Sequence, residues 1–285
     1  MATVNAIRRR VTYKDVMWRH LADYKTSVLG IAQNGIWRKN QKEYAHILPF
    51  EHQRLNILEP YRDEFWEYLR TANIKLHSDF HHLSSSQAMC FNLFFPFIAE
   101  NNRHLQLLRG IFAADGAIEN ARFEVVIDTI EGTNFDFCFQ TTRSRKLFEL
   151  KLTENSFGAA PGDDSHIQKY ERVYAPAIQG KFAPEFCSCD RFLQHYQIAR
   201  NVWNLGVATQ DSLIFMVPRG NERLKDETTI IDKCLSEQFR DRVTVCYLEA
   251  VTAKIEQTFP TDDTRLREHF RQFRQKYLLN KAIPS

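Results

Sequence analysis

The sequence predicts an α/β protein in which a mixed central β-sheet is flanked by helices, with helical elaborations at the amino and carboxyl termini. Three observations carry this. Residues 123–154 hold three strand-like runs in succession. Two further strand-like runs, 211–217 and 242–251, follow a helical segment. Roughly the first seventy residues, and again 263–280, show apolar side chains at helical spacing. The expected division is a mainly helical extension, 1–78, packed on a core that spans 79–285.

Composition bounds the function without deciding it. The chain has 285 residues, of which 44% are hydrophobic and 22 are Phe, ample for a sizeable core. A formal net charge of +3 permits a nucleic-acid partner but does not argue for one. The sequence has no apolar run of about 18 residues, and MATVNAIRRRVTYKD lacks the apolar core of a secretory signal, so a cytoplasmic protein with no membrane partner is expected. Cysteines are then thiols: Cys90, Cys138, Cys234 and Cys246 read as small core residues. Cys187 and Cys189 form the only close pair, without partners at the spacing of a four-ligand metal site. The absence of a Gly-rich phosphate loop argues against an ATP-driven motor.

Residues 13–24 and 60–72 carry helical spacing, the second through Phe65, Tyr68 and Leu69. Between them, 30–53 mixes Trp37, Arg38, Lys39, Lys42, Tyr44 and His46; it reads either as a loop resting on a phosphate backbone or as an irregular packed connection. His77, His81 and His82 cluster around Asp79 and invite a zinc reading, but no clear further ligand follows at a distance. The segment leads instead into a helix, 86–100, capped by Ser84 or Ser85. That helix is apolar nearly all round, through Met89, Phe91, Leu93, Phe94, Phe97 and Ile98, and should be buried against the sheet, with Pro96 kinking it or ending its first section.

The strand-like runs hold the chemistry. In 123–130, Phe123, Val125 and Ile127 take one face and Glu124 and Asp128 the other. A turn at Glu131-Gly132-Thr133 then sets Asp128 opposite Asp136. Phe135, Phe137 and Phe139 alternate with Asp136, and Phe148, Leu150 and Leu152 alternate with Glu149 and Lys151. Asp136, Glu149 and Lys151 therefore lie off the apolar stripes. Opposed side chains on neighbouring strands stand roughly 5 Å apart, so an Asp and a Glu can converge on one Mg²⁺ (or Mn²⁺), with Lys151 beside them to orient water or stabilise phosphate charge. Glu124, Asp128 and Glu131 are each candidates for a third acid. The plain alternative is a solvated sheet face with an ordinary Glu–Lys pair.

Residues 156–186, with three Pro and three Gly, read as a long irregular excursion: a substrate loop with Lys169, Tyr170 and Arg172 as contacts, or a surface insertion. Asp190 reads as the cap of a helix reaching about 205, with Phe192, Tyr196, Ala199 and Trp203 buried and Arg200 a candidate phosphate contact. Residues 211–217 are apolar on both faces, as in the middle of a mixed sheet. The terminal helix packs Leu266, Phe270, Phe273 and Tyr277 and shows Arg267, Arg271 and Arg274 elsewhere, either to DNA or to solvent.

With Asn134-Phe135-Asp136 in the "PD" place and Glu149-Leu150-Lys151 as the E-x-K, the chain resembles the PD-(D/E)XK nuclease superfamily, the restriction-endonuclease-like fold. The proline is absent, a mild departure because the acid is the functional part of that motif. A closer resemblance is to a group of bacterial restriction-endonuclease-like proteins marked by HILP, SSQA, EGTNFDF, FE-K-TE and HYQ-RN. Here these are His46 to Pro49, Ser85 to Ala88, Glu131 to Phe137, Phe148 to Glu154, and His195 to Gln197 with Arg200-Asn201. The resemblance implies an Mg²⁺-dependent endonuclease acting on DNA, with a role in restriction or other defence. Asp136, Glu149 and the Leu150 carbonyl would hold the metal, Gln197 would complete the site, and Gln87 would touch substrate or serve as a buried amide. Sequence-specific cutting of both strands would favour a homodimer. Two other readings stay open: a nucleic-acid-binding or assembly protein that keeps the fold without cleaving, and a phosphoesterase for RNA or a small nucleotide.

Overall fold

The computed structural model describes residues 11–206 and 209–279. The amino-terminal stretch 1–10 and residue 280, the end of the expected last helix, lie outside them. In chain order the elements are α1 (Tyr13–Ser27), β1 (Gly35–Trp37), β2 (Lys42–Tyr44), α2 (Arg62–Thr71), α3 (Ser86–Asn102), α4 (Leu107–Ile111), β3 (Ile118–Val126), β4 (Asn134–Thr141), β5 (Arg145–Leu150), α5 (Asp164–Lys169), α6 (Ala175–Ile178), α7 (Cys189–Gln194), α8 (Tyr196–Trp203), β6 (Ser212–Val217), α9 (Glu222–Cys234), α10 (Glu237–Arg240), β7 (Val243–Tyr247), α11 (Leu248–Gln257) and α12 (Thr264–Tyr277).

The main sheet runs β3-β4-β5-β6-β7. β3, β4 and β5 pair antiparallel, whereas β5, β6 and β7 pair parallel, so the chain must cross over through α5–α8 and then through α9 and α10. Arg145 at the start of β5 is fixed to Asp211 just ahead of β6, with Nη2 2.6 Å and the main-chain N 2.8 Å from the carboxylate. Ile214 and Met216 face one layer and Leu213, Phe215 and Val217 the other, as expected for a strand buried on both sides. One apolar cluster joins the sheet to α1, α2, α3, α11 and α12. The second joins the opposite face to the helices from α5 to α10. The first cluster runs without a break from Tyr13 through Phe80 and Phe91 to Tyr277.

The structure departs from the expected elements for identifiable reasons. β3 ends at Val126 rather than 130, because Asp128 Oδ1 accepts from the main-chain N–H groups of Ile130 and Glu131 and folds 127–133 into a loop. Residues 156–186 are irregular only in part: within them α5, a π-helical turn at Tyr170–Tyr174 and α6 bury Tyr170, Tyr174 and Ile178 in the second cluster. The helix expected over 190–205 is two helices, capped by Ser188 rather than Asp190 and broken at His195 (φ −119°, ψ 37°). The run 242–251 is β7 passing directly into α11. α3 is capped by Ser85 and leaves helical geometry at Ala99, Glu100 and Asn101, past Pro96.

Candidate active site

Strand register assembles a row of acids across three strands. Phe123 pairs with Phe137 and Val125 with Phe135, so Glu124 stands across from Asp136. Phe137 pairs with Phe148, and the next step of that register sets Asp136 opposite Glu149. The β4–β5 ladder stops there: Leu150 N donates to Asp136 Oδ2 at 2.6 Å, a side chain replacing a ladder partner. Phe137 and Phe139 belong to the first cluster but Phe135 to the second, so the expected Phe stripe breaks beside Asp136. Across from this break Glu124 adopts φ 53°, in the left-handed region that a residue with a Cβ enters at a cost of about 1 kcal/mol or more. Its Oε1 accepts from Gln87 Nε2 at 2.7 Å and its Oε2 from Asn134 Nδ2.

Glu149 is only 3% exposed, beneath α8. Its Oε1 lies 2.8 Å from Lys151 Nζ and accepts from Gln197 Nε2 at 2.6 Å; its Oε2 accepts from Asn201 Nδ2 at 3.2 Å. Gln197 and Asn201 are one helical turn apart and so share a face of α8. Asn201, fully buried, was missed as a site residue by sequence reasoning, although the i, i+4 spacing from Gln197 carries the signal.

Burial and the neighbouring Glu149 push the Asp136 carboxyl well above its usual range, against the opposing effects of Lys151 and the Leu150 N–H. Glu124 is raised chiefly by burial, its bond from Gln87 opposing. Burial alone would lower Lys151, but Glu149, Glu154 and Asp136 outweigh it and hold the ammonium above its ordinary value. The site thus gathers more carboxyl groups than cations, two of them pushed toward the neutral form, beside one firmly protonated lysine.

Among the described residues no three or more His, Cys, Asp or Glu side chains form a group able to hold a metal ion. Asp136, Glu149 and the Leu150 carbonyl are oxygen donors, the ligand type that hard divalent cations take. The zinc reading of His77, His81 and His82 finds no such group; His81 Nε2 is instead 3.1 Å from the Ile36 carbonyl. Cys187 and Cys189 are free thiols.

Of the candidate third acids, Glu124 joins the row and two do not. Asp128 folds its own loop, so it is not opposite Asp136. The Glu131 side chain is fully buried against the other end of α8, taking hydrogen bonds from Tyr174 (2.7 Å), Asn204 (3.0 Å) and Thr133 N (2.7 Å), with Arg200 3.4 Å away. Those bonds and Arg200 overcome the effect of burial and hold its carboxyl below the ordinary range.

Most expected nucleic-acid contacts are engaged within the protein. Gln87 is buried, accepting from His77 N and donating to Glu124. Lys169 donates to the Glu131 carbonyl at 2.8 Å and Arg200 to Thr133 Oγ1 at 2.6 Å, so both brace the β3–β4 loop. Tyr170 is a core residue whose hydroxyl donates to the Cys187 carbonyl. Arg267 reaches the Pro260 carbonyl, Arg271 pairs with Glu268 and Arg274 with Glu256. Arg172 alone of these is exposed with no partner among the described residues.

Comparison with known proteins agrees with this architecture. No curated protein and no solved structure matches the chain. The family described as restriction endonuclease associating with ARP matches residues 18–278, nearly the whole of it. With an α/β core built on a mixed five-stranded sheet of the restriction-endonuclease-like kind, the chain belongs to the family of restriction endonucleases associating with ARP.

Proposed function

We propose that the protein is a Mg²⁺-dependent nuclease of the PD-(D/E)XK type that hydrolyses DNA phosphodiester bonds, in restriction or a related defence. The observation that carries this reading is the contact of Lys151 Nζ with Glu149 Oε1, 2.8 Å, beside an Asp136 carboxyl that burial and Glu149 drive upward. Structural ion pairs rarely gather acids that repel one another; a site for a cation and a phosphate does.

Asp136 and Glu149, with the Leu150 carbonyl, would hold the ion. Bound there, Mg²⁺ supplies a water of lowered pKa and neutralises phosphate charge. Lys151 keeps its proton through the neutral range, so it acts as a fixed positive charge beside the scissile phosphate rather than as a base. Gln197 and Asn201 hold both oxygens of Glu149, which keeps that carboxylate in place when the charge around it changes. Glu124 stands at the far end of the row, where it can accept from an attacking water. Cutting both strands at one sequence would take two copies of the chain.

The test is cleavage of supercoiled plasmid and linear duplex in Mg²⁺, Mn²⁺ or EDTA, with Glu149→Ala and Lys151→Ala proteins alongside. The expected result is metal-dependent nicking or linearisation that falls by about 10²–10³-fold or more in each variant. Intact DNA in every lane with binding preserved in a gel shift would overturn the enzyme reading in favour of a fold that binds without cutting.

A further inference from the structure

A pocket of about 260 Å³ opens beside the acid row. Its lining includes Trp18, Trp37, His46 and His82 together with Lys14 and Glu154. Trp18 and His46 stack, their ring centroids 4.1 Å apart and their planes 15° from parallel, and Lys14 Nζ lies 4.5 Å above the Trp18 ring. Neither Trp18 nor Trp37 belongs to either apolar cluster. Trp18 is thus covered by His46 and Lys14, whereas Trp37 meets its ring neighbours Tyr44 and His82 only in edge geometry, at 5.7 and 5.8 Å, which leaves Trp37 as the ring on which a flat ligand stacks.

Of the two indoles, Trp37 donates its Nε1 to Asp79 Oδ2 at 3.2 Å, and Trp18 does not find a partner among the described residues. Trp18 Nε1 and His82 Nε2 are buried with no hydrogen-bond partner, His82 Nε2 lying 3.6 Å from Asp79 Oδ1. Ser84, Ser86 and Glu154 also line the pocket and offer hydroxyls and a carboxylate to the edge of a flat ring. Burial lowers His46 to about 3 and His82 to about 4, so both imidazoles are neutral at pH 7 and suit a base edge better than a phosphate. The volume lies just under the roughly 300–1,000 Å³ of small-molecule sites, room for one base and not for a stacked pair.

Two short links join the pocket to the acid row. Glu154 Oε2 accepts from Leu152 N at 2.7 Å, one residue beyond Lys151. On the other side Gln87 accepts from His77 N, at the pocket wall, and donates to Glu124.

We propose that the pocket walled by Trp18, Trp37, His46 and His82 receives a single unstacked nucleobase, held by stacking on its face and hydrogen bonds to its edge. That the base adjoins a reacting phosphate rests on the nuclease reading; its capture does not. The base can come from a DNA strand, extruded or already unpaired, or from a free nucleotide.

The test uses the full chain in EDTA, so that cleavage plays no part. Three probes are titrated: a duplex with a one-nucleotide 2-aminopurine bulge, the same duplex with 2-aminopurine paired, and the 2-aminopurine deoxynucleotide alone. Quenching of the bulged probe, with tighter binding than the paired duplex, is expected. Trp37→Ala should erase that preference, about 5- to 150-fold for one stacked base, at an unchanged melting temperature, while Trp18→Phe keeps it. Saturable quenching of the free nucleotide without a preference for the bulge assigns the base to a nucleotide ligand. Equal binding of the two duplexes with no quenching of any probe overturns the proposal, as does a preference that survives both Trp37→Ala and Trp18→Ala. Plasmid cleavage in Mg²⁺ stands or falls separately.

Discussion

Asp136 is costly to the fold and, on the nuclease reading, holds the ion. Its carboxyl is buried beside Glu149 with Glu124 adding charge, so the ion-free protein carries the repulsion of the row. Asp136→Asn keeps an oxygen for the Leu150 N–H and removes the charge. Thermal unfolding in EDTA should show a variant more stable by roughly 1 kcal/mol, about 2 °C in a chain of this size. The same variant should gain nothing from added Mg²⁺, where the parent protein gains, and should not cleave. A variant less stable in EDTA would mean that Asp136 holds structure rather than an ion. The pair Asp136 and Glu149 was legible in the sequence because strand alternation places both off the apolar stripe. Glu124 was one of three equal candidates, and what singled it out, its place opposite Asp136 with a left-handed backbone at φ 53° inside β3, has no local sequence signature.

At the scale of elements, α8 ties two carboxylates to one helix: Gln197 and Asn201 hold Glu149, while Arg200 and Asn204 hold Glu131. Glu131→Ala would leave Tyr174, Asn204 and Arg200 facing an emptied site, and urea denaturation should register a loss of about 3 kcal/mol, with Mg²⁺-induced stabilisation intact. α12 supplies a pH dependence. His269, wholly buried with Nε2 2.6 Å from the Asn92 carbonyl, is lowered by burial to about 4. A histidine whose folded pKa is depressed stays neutral in the fold but takes a proton in the unfolded chain below about 6.5. Stability is therefore full above pH 6.5 and falls as pH drops toward 4. Urea midpoints at pH 7, 6 and 5 should decline less steeply in His269→Gln, by up to one proton. The helical spacing of these segments was visible, but the Ser188 cap and the break at His195 were not, and the π-helical turn and α6 were hidden: Pro and Gly density in 156–186 reads as loop, and only tertiary burial of Tyr170 and Tyr174 makes it helical.

For the whole molecule, the layered α/β order followed from strand and helix succession, whereas the mixed sheet's parallel half depended on crossovers that no local pattern encodes. Charge was the least legible property. Basic residues that look available in the sequence are spent internally, Lys169 and Arg200 on the β3–β4 loop and Arg271 and Arg274 on surface acids. Arg172 is the exception, and Arg172→Ala should weaken DNA binding to a similar extent for any sequence and lower the salt slope by about one. An unchanged slope would place the phosphate path elsewhere. Among the described residues no helix is long and apolar enough to cross a membrane.

The double grip of α8 bears on how this proposed nuclease unit can be transplanted. The strand pair that carries Asp136, Glu149 and Lys151 is short enough to graft onto another scaffold, yet moved alone it would strand Glu149 without its amides and the β3–β4 loop without its guanidinium. The smallest portable module runs from Glu124 to Asn204, and a recombinant chimera cut inside that interval should lose its geometry even where every acid is retained.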